Sequence, residues 1–127
     1  MNLWYLTLHK PPFTPPANYF PIAWTILYIF MTIAFLIVLV KPKSKEKYFA
    51  INLFLVQLIL NFMWSYVFFD LQSISYALVD VLLLLFFLIL TIIYFFKISK
   101  SAGFLLIPYL LQVIFAVYLT IGLAVLN

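Results

Sequence analysis

A few polar and aromatic side chains interrupt the otherwise apolar stretches of this 127-residue chain. Gln57, Asn61 and Trp64 follow one another at spacings of four and three residues, so on a helix they share one face. The amides donate and accept hydrogen bonds, and the indole offers a flat ring face and one N–H donor. Side chains of these types can orient a flat, largely apolar ligand.

The same helical spacing places aromatic and polar residues on one face of three other stretches. These residues are Trp24 and Tyr28 in the first stretch, Tyr76, Asp80 and Leu83 in the third, and Tyr109, Gln112 and Ala116 in the fourth. Because polar side chains avoid lipid, we expect these faces to point toward one another. Two interpretations stay open: the amides join the helices of a packed bundle, or the faces line a ligand cavity.

Asp80 is the one acidic residue well inside an apolar stretch. A carboxylate at the centre of a membrane span costs about 2.5–3.5 kcal/mol on insertion scales, so this intramembrane acid needs a partner. One interpretation places it near enough to the outer end of its helix to reach water or a Tyr or Asn side chain. The other gives it a proton-relay or counter-ion role, as in a small proton-coupled exporter.

The sequence lacks the residue sets that metal binding and several common kinds of catalysis require. The chain has no cysteine, and its only histidine, His9, lies in the N-terminal segment, so metal or haem ligation has no second protein ligand in view. The sequence shows no Ser/His/Asp set, no pair of carboxylates and no Gly-rich phosphate loop. We therefore predict no metal site, no catalytic residues of these types and no required cofactor.

The elements that must position these residues are membrane helices. Hydrophobic residues make up 69% of the chain and charged residues 8%, with a mean hydropathy of +1.24, which is too little charge to coat a soluble domain. The apolar runs are about 20 residues long and do not alternate at period two, which favours helices over a β-barrel. We predict an all-α membrane bundle forming one domain, residues 1–127, with helices near 20–41, 47–69, 74–97 and 101–126. Pro108 should kink the last helix.

The lysines predict the orientation of the bundle. All seven basic residues are lysines, and six of them lie in the connections Lys41–Lys47 and Lys97–Lys100. The positive-inside rule places these connections in the cytoplasm, with the N- and C-termini outside. Because no soluble surface exists to present the charge, we expect the lipid bilayer and not nucleic acid as the partner.

Residues 1–19 predict a stiff, proline-rich entrance loop before the first helix. Four prolines follow Lys10 within six residues, and each removes a backbone donor and disfavours helix before it. The residues expected at the entrance are Lys10, Pro15, Pro16 and Phe20. Lys10 could meet a carboxylate of a ligand there.

Taken in order, several motifs resemble the TspO/MBR family, also called translocator proteins, tryptophan-rich sensory proteins or peripheral benzodiazepine receptors. The resemblance spans essentially the whole chain. The motifs that carry it are Trp4-Tyr5, Lys10-Pro11, Pro15-Pro16, Trp24, Leu27-Tyr28, Gln57-Leu58, Asn61, Trp64, Ala77-Leu78-Val79-Asp80 and Pro108-Tyr109-Leu110. The family fold has five spans, and this chain begins where the loop after the first would begin. The resemblance therefore implies a short relative, a truncated one, or a bundle completed by another chain.

The resemblance implies a receptor, carrier or sensor that binds porphyrins such as protoporphyrin IX or haem, sterols, or benzodiazepine-type ligands inside the bundle. Together with the shared faces, it gives as ligand-binding residues Trp24, Tyr28, Gln57, Asn61, Trp64, Tyr76, Leu83, Gln112 and Ala116. A homodimer is also implied. Some relatives promote light-dependent breakdown of protoporphyrin through pocket tryptophans. That enzyme activity is kept as an alternative only, and Gln112, which stands where relatives often place tryptophan, argues against it.

Overall fold

A computed structural model describes residues 19–71 and 73–126 of the chain, and the described part is helical apart from short connections. The elements are α1 (Tyr19–Leu39), α2 (Lys45–Ser65), a π-helical turn (Tyr66–Asp70), α3 (Ile74–Ile98), α4 (Lys100–Leu105) and α5 (Ile107–Leu126). Four helical stretches are long and apolar enough to cross a membrane: Ile22–Leu39, Lys45–Phe68, Ile74–Ile98 and Lys100–Leu126. The predicted all-α membrane bundle is confirmed, and the described residues include no strand.

The connection between α1 and α2 is short and is tied down by a buried lysine. The Ser44 hydroxyl caps α2 by accepting a hydrogen bond from the backbone N–H of Lys47, at 3.0 Å. The Lys47 ammonium donates to the carbonyl oxygens of Leu39 and Lys41, at 2.8 and 2.9 Å. Lys47 is only 8% exposed. This lysine of the predicted cytoplasmic connection therefore also caps the carboxyl end of α1.

The fourth span is interrupted at Leu106. The side chain of Ser99 caps the start of α4. At its end, the backbone N–H of Leu106 donates a hydrogen bond to the carbonyl oxygen of Gly103, at 3.1 Å. Pro108 follows as the second residue of α5, where a missing backbone donor is tolerated because the first turn of a helix has no intrahelical acceptor for it. The kink predicted from Pro108 therefore takes the form of a break two residues before the proline.

The packing of the helices is uneven. The most extensive contact joins α2 with α3, followed by α3 with α5 and with α4. Helix α1 packs mainly on α4, and its contacts with α2 and α5 are few. Because α4 follows the Lys97–Lys100 connection, α1 is held chiefly at the lysine-rich end of the bundle.

Small residues mark the tightest approaches between helices, as is usual in membrane bundles. The fully buried alanines are Ala34, Ala50, Ala77 and Ala102. At Gly103 a side chain would have no room, since a Cβ atom built there would lie 2.5 Å from Cγ of the Phe96 ring. Helix α4 can therefore lie against α3 only because this position has no side chain.

Candidate functional site

Four side chains from three helices form one hydrogen-bonded chain in the middle of the bundle. The Tyr28 hydroxyl on α1 donates to Asn61 Oδ1 on α2 at 2.6 Å, and Asn61 Nδ2 donates to the Tyr109 hydroxyl on α5 at 2.7 Å. The Tyr109 hydroxyl in turn donates to Gln57 Oε1, one turn before Asn61, at 2.7 Å. We call Tyr28, Asn61, Tyr109 and Gln57 the tyrosine–amide chain. It joins α1, α2 and α5 where few other contacts hold α1.

Burial is graded along the tyrosine–amide chain. Gln57 and Tyr109 are fully buried, Asn61 is 3% exposed, and Tyr28 is half-buried. At the inner end, Gln57 Nε2 is buried and meets no hydrogen-bond partner among the described residues. A buried amide group left unpaired is costly, and in this chain the unpaired amide group lies at the deepest point.

Three aromatic rings stand in a row beside the outer end of this chain. Tyr28 lies between Trp24 and Phe62, with both pairs of ring centroids 5.9 Å apart and tilts of 34° and 35°. Trp24 also meets Tyr109 edge-on, at 6.0 Å and 72°. Trp24 and Tyr28 are half-buried and Phe62 is 56% exposed. We call Trp24, Tyr28 and Phe62 the aromatic shelf; it is an accessible ring surface with one hydroxyl at its edge.

A second feature lies on another side of α1. A groove with a volume of about 400 Å³ opens between α1 and α5, and we call it the α1–α5 groove. Its lining residues are Ala23, Ile26, Leu27, Pro108, Leu111, Gln112 and Phe115. Gln112 is the only polar side chain in this lining. The volume falls within the range of small-molecule sites, ~300–1,000 Å³.

Two more of the residues predicted to face inward are Ala116 and Trp64. Ala116 is 5% exposed on α5, and its carbonyl oxygen accepts from the Thr120 hydroxyl at 2.7 Å. Trp64 stacks on Phe68, with centroids 5.1 Å apart and planes 16° from parallel. Ala116 belongs to the main hydrophobic core, and half-buried Trp64 packs against both that core and a smaller cluster of Phe68, Ala77 and Leu123.

The expected inward orientation is wrong at Tyr76 and Leu83. Tyr76 is 72% exposed and Leu83 is 47% exposed, so neither helps to enclose a cavity between the helices. The buried face of α3 instead follows Ala77, Val81 and Leu84, which allow closer packing against α2 and α5. A tyrosine near the end of a span is well placed at the membrane–water interface, where its amphipathic ring is stabilised.

Asp80 does face the interior of the bundle. It is 6% exposed, and its Oδ2 atom is buried and meets no hydrogen-bond donor among residues 19–71 and 73–126. Of the two interpretations given for this residue, access to open water is the one that its burial disfavours.

We expect Asp80→Asn to leave the free energy of unfolding unchanged within about 1 kcal/mol, because asparagine keeps the shape and removes a charge that hydrocarbon disfavours. Denaturation with sodium dodecyl sulfate in mixed micelles would measure this, with Asp80→Leu as the comparison that changes the shape as well. A loss of several kcal/mol in Asp80→Asn would show that the carboxylate itself holds the bundle together.

The predicted entrance falls almost entirely outside the described residues. Lys10, Pro15 and Pro16 lie there, and the entrance loop stays a prediction. Phe20 belongs to the first turn of α1.

The predicted ligand-binding residues do not include Tyr109, although Tyr109 is the centre of the tyrosine–amide chain. The available signal was its position three residues before Gln112 on the same helical face, combined with a hydroxyl that must find a partner when buried. Its partners lie 48 and 52 residues away in the sequence, so their identity required the fold.

Comparisons with known proteins agree with the motifs. The model of the TspO/MBR family matches residues 1–126. The chain is 45% identical over 125 residues to the tryptophan-rich protein TspO of Chlorobaculum tepidum, covering 98% of this chain and 79% of that protein. It is 40% identical over 127 residues to the protein of the same name from Archaeoglobus fulgidus, covering 100% and 82%. The translocator protein of Bos taurus is 34% identical over 115 residues, covering 89% and 68%. The chain belongs to the TspO/MBR family and is an integral membrane protein.

Proposed function

We propose that this protein is a membrane receptor that binds a flat hydrophobic ligand, such as a porphyrin or a sterol, on the aromatic shelf. The observation that carries the proposal is the row of Trp24, Tyr28 and Phe62, whose neighbouring ring centroids are 5.9 Å apart, so that one planar molecule spans the distance between two rings. Family membership supports the receptor role, since related proteins are named tryptophan-rich sensory protein and translocator protein.

The shelf suits such a ligand better than the α1–α5 groove does. Binding of a planar ring system gains from contact with ring faces, and the groove lining holds one aromatic residue, Phe115, against three rings in the shelf. The shelf also has a hydroxyl at its edge, on Tyr28, that can orient a polar group of the ligand. A bilayer-dissolved ligand can reach it from the side, because Phe62 is largely exposed.

A titration with protoporphyrin IX in lipid nanodiscs, in the dark, tests the receptor. Quenching of tryptophan fluorescence is expected to saturate in the wild-type protein. Phe62→Ala should weaken binding about fivefold, since an aromatic contact contributes ~0.5–1.5 kcal/mol beyond its buried area. Phe86→Ala is the matched control, because Phe86 is a phenylalanine of equal exposure, 56%, on α3. It should bind as the wild type does.

A second pair of variants tests the location. Ala23→Leu narrows the α1–α5 groove and is expected to leave protoporphyrin affinity unchanged, whereas Trp24→Leu removes a ring of the shelf and should weaken it. The opposite result, with only Ala23→Leu weakening binding, would move the ligand to the groove. Linear, unsaturable quenching in every variant would overturn the receptor proposal itself.

A further inference from the structure

The tyrosine–amide chain can run in two directions while both tyrosines and the carbon atoms of both amides stay in place. In the arrangement described above, each donor points inward, from Tyr28 through Asn61 and Tyr109 to Gln57. Turning both amides by 180° exchanges their oxygen and nitrogen positions and reverses every bond. Gln57 Nε2 then donates to the Tyr109 hydroxyl, Tyr109 donates to Asn61 Oδ1, and Asn61 Nδ2 donates to the Tyr28 hydroxyl.

The two directions contain the same three hydrogen bonds and differ in where unpaired groups lie. In the inward direction both N–H groups of Gln57 Nε2 are unpaired at a fully buried position. In the reversed direction one of them is paired, and Gln57 is left with an unpaired carbonyl oxygen, which proteins tolerate more readily than an unpaired N–H. The hydroxyl hydrogen of half-buried Tyr28 is released toward the aromatic shelf.

A ligand can decide between the two directions only through Tyr28, the end of the chain that borders the shelf. An oxygen acceptor on the ligand would take the released hydroxyl hydrogen, so the reversed direction would gain a fourth hydrogen bond. A hydrocarbon ligand offers no such bond and leaves the two directions in their original balance.

We propose that the tyrosine–amide chain makes this site selective for flat ligands that carry a ketone, ester or carboxylate oxygen at the edge lying over Tyr28. The inference rests on the proposed function, because it requires a ligand on the aromatic shelf. Tyr28 is the member of the tyrosine–amide chain that touches the ligand. Tyr109 and Gln57 are positioning residues, which act through Asn61 by setting the direction of the chain.

Two matched probes, fluorene and 9-fluorenone, test the selectivity because they differ only in one carbonyl group. Their affinities would be measured by competition with protoporphyrin IX in nanodiscs. The wild-type protein is expected to bind 9-fluorenone about fivefold more tightly than fluorene, the effect of one net hydrogen bond. In Tyr28→Phe the ratio of the two affinities should fall to about one, since the hydroxyl is gone.

The remote end of the chain provides the sharper test. In Gln57→Met only a thioether sulfur, which is a weak acceptor, remains at position 57, so Tyr109 donates preferentially to Asn61 and the reversed direction is favoured before any ligand binds. The affinity ratio should then rise above the wild-type value, about threefold further. Gln57→Leu removes the same acceptor with a different shape and is expected to act alike. Leu88→Met, a change of similar size at another fully buried position, should leave the ratio unchanged.

The outcomes separate the two proposals. If protoporphyrin IX does not saturate the wild-type protein, the proposed function fails. If protoporphyrin IX binds saturably and 9-fluorenone does not displace it, the receptor stands and the selectivity is overturned. If both probes compete with equal affinity in the wild-type protein, the receptor stands and the selectivity is overturned. If the ratio responds to Tyr28→Phe and to neither Gln57 variant, Tyr28 acts alone and the coupling through the chain is overturned.

Discussion

Replacing Gly103 with alanine is expected to lower the free energy of unfolding by about 3 kcal/mol, at the upper end of the effects of overpacking. The new Cβ atom would lie 2.5 Å from Phe96 Cγ and 2.6 Å from Cδ1 and Cδ2, so the clash falls on the base of the ring and not on a flexible end. Phe96 is held in turn edge-on against Phe104, with centroids 5.0 Å apart. Relief would therefore require α4 to move away from α3.

Denaturation with sodium dodecyl sulfate in mixed micelles would measure the Gly103→Ala effect. Ser101→Ala is the control, because Ser101 is exposed on the same short helix and its replacement introduces no clash. Equal midpoints for Gly103→Ala and Ser101→Ala would mean that the two helices are not in close contact at this position.

Lys47→Met is expected to cost a similar amount, again about 3 kcal/mol. The change removes two charge-assisted hydrogen bonds, to the carbonyl oxygens of Leu39 and Lys41, and takes a positive charge from the carboxyl end of α1. Each such bond contributes about 1.5–3 kcal/mol, and the sum is reduced because carbonyl groups near the membrane surface can bind water instead. Methionine keeps the length and apolar stem of the lysine.

Lys43→Met serves as the matched control for this change, since Lys43 is exposed in the same connection. Both variants remove one positive charge from that connection, so a difference between their melting temperatures isolates the contacts of the Lys47 ammonium. Identical melting temperatures would show that the ammonium contacts do not stabilise the fold.

The sequence was sufficient to predict the spans because their lengths and composition leave few alternatives. The observed helices begin within two residues of the predicted starts, and Pro108 correctly marked the interruption of the last one. The break falls at Leu106 because proline is tolerated in the first turn of the helix that follows it. The orientation of the bundle in its membrane stays a prediction.

The inward face was predicted correctly for α2 and wrongly for α3, because lipid around the helices does not force large apolar side chains inward. On α2 the amides gave the correct face, since Gln57 and Asn61 are both buried. On α3 the large residues Tyr76 and Leu83 were predicted to face inward and do not. In lipid a large apolar or aromatic side chain is accommodated as well outside the bundle as inside it. The small side chain of Ala77, which permits close approach of helices, would have been the better guide.

The tyrosine–amide chain could be predicted only in part. Gln57 and Asn61 share a helical face, so the sequence alone places them together. Their connection to Tyr109 depends on how α5 lies against α2 after the break at Leu106, and no local pattern encodes that geometry. The same holds for Lys47, whose carbonyl partners depend on the path of the connection.

The break at Leu106 bears on how the bundle would open. The lysine-rich end carries the Lys47 contacts, the close approach at Gly103 and the packing of α1 on α4. Beyond the break, α1 is joined to its neighbours mainly by the tyrosine–amide chain and by the ring contacts of Trp24 and Tyr28. Opening motions would therefore pivot about the lysine-rich end, and backbone amides there would exchange with deuterium more slowly than those at the opposite end.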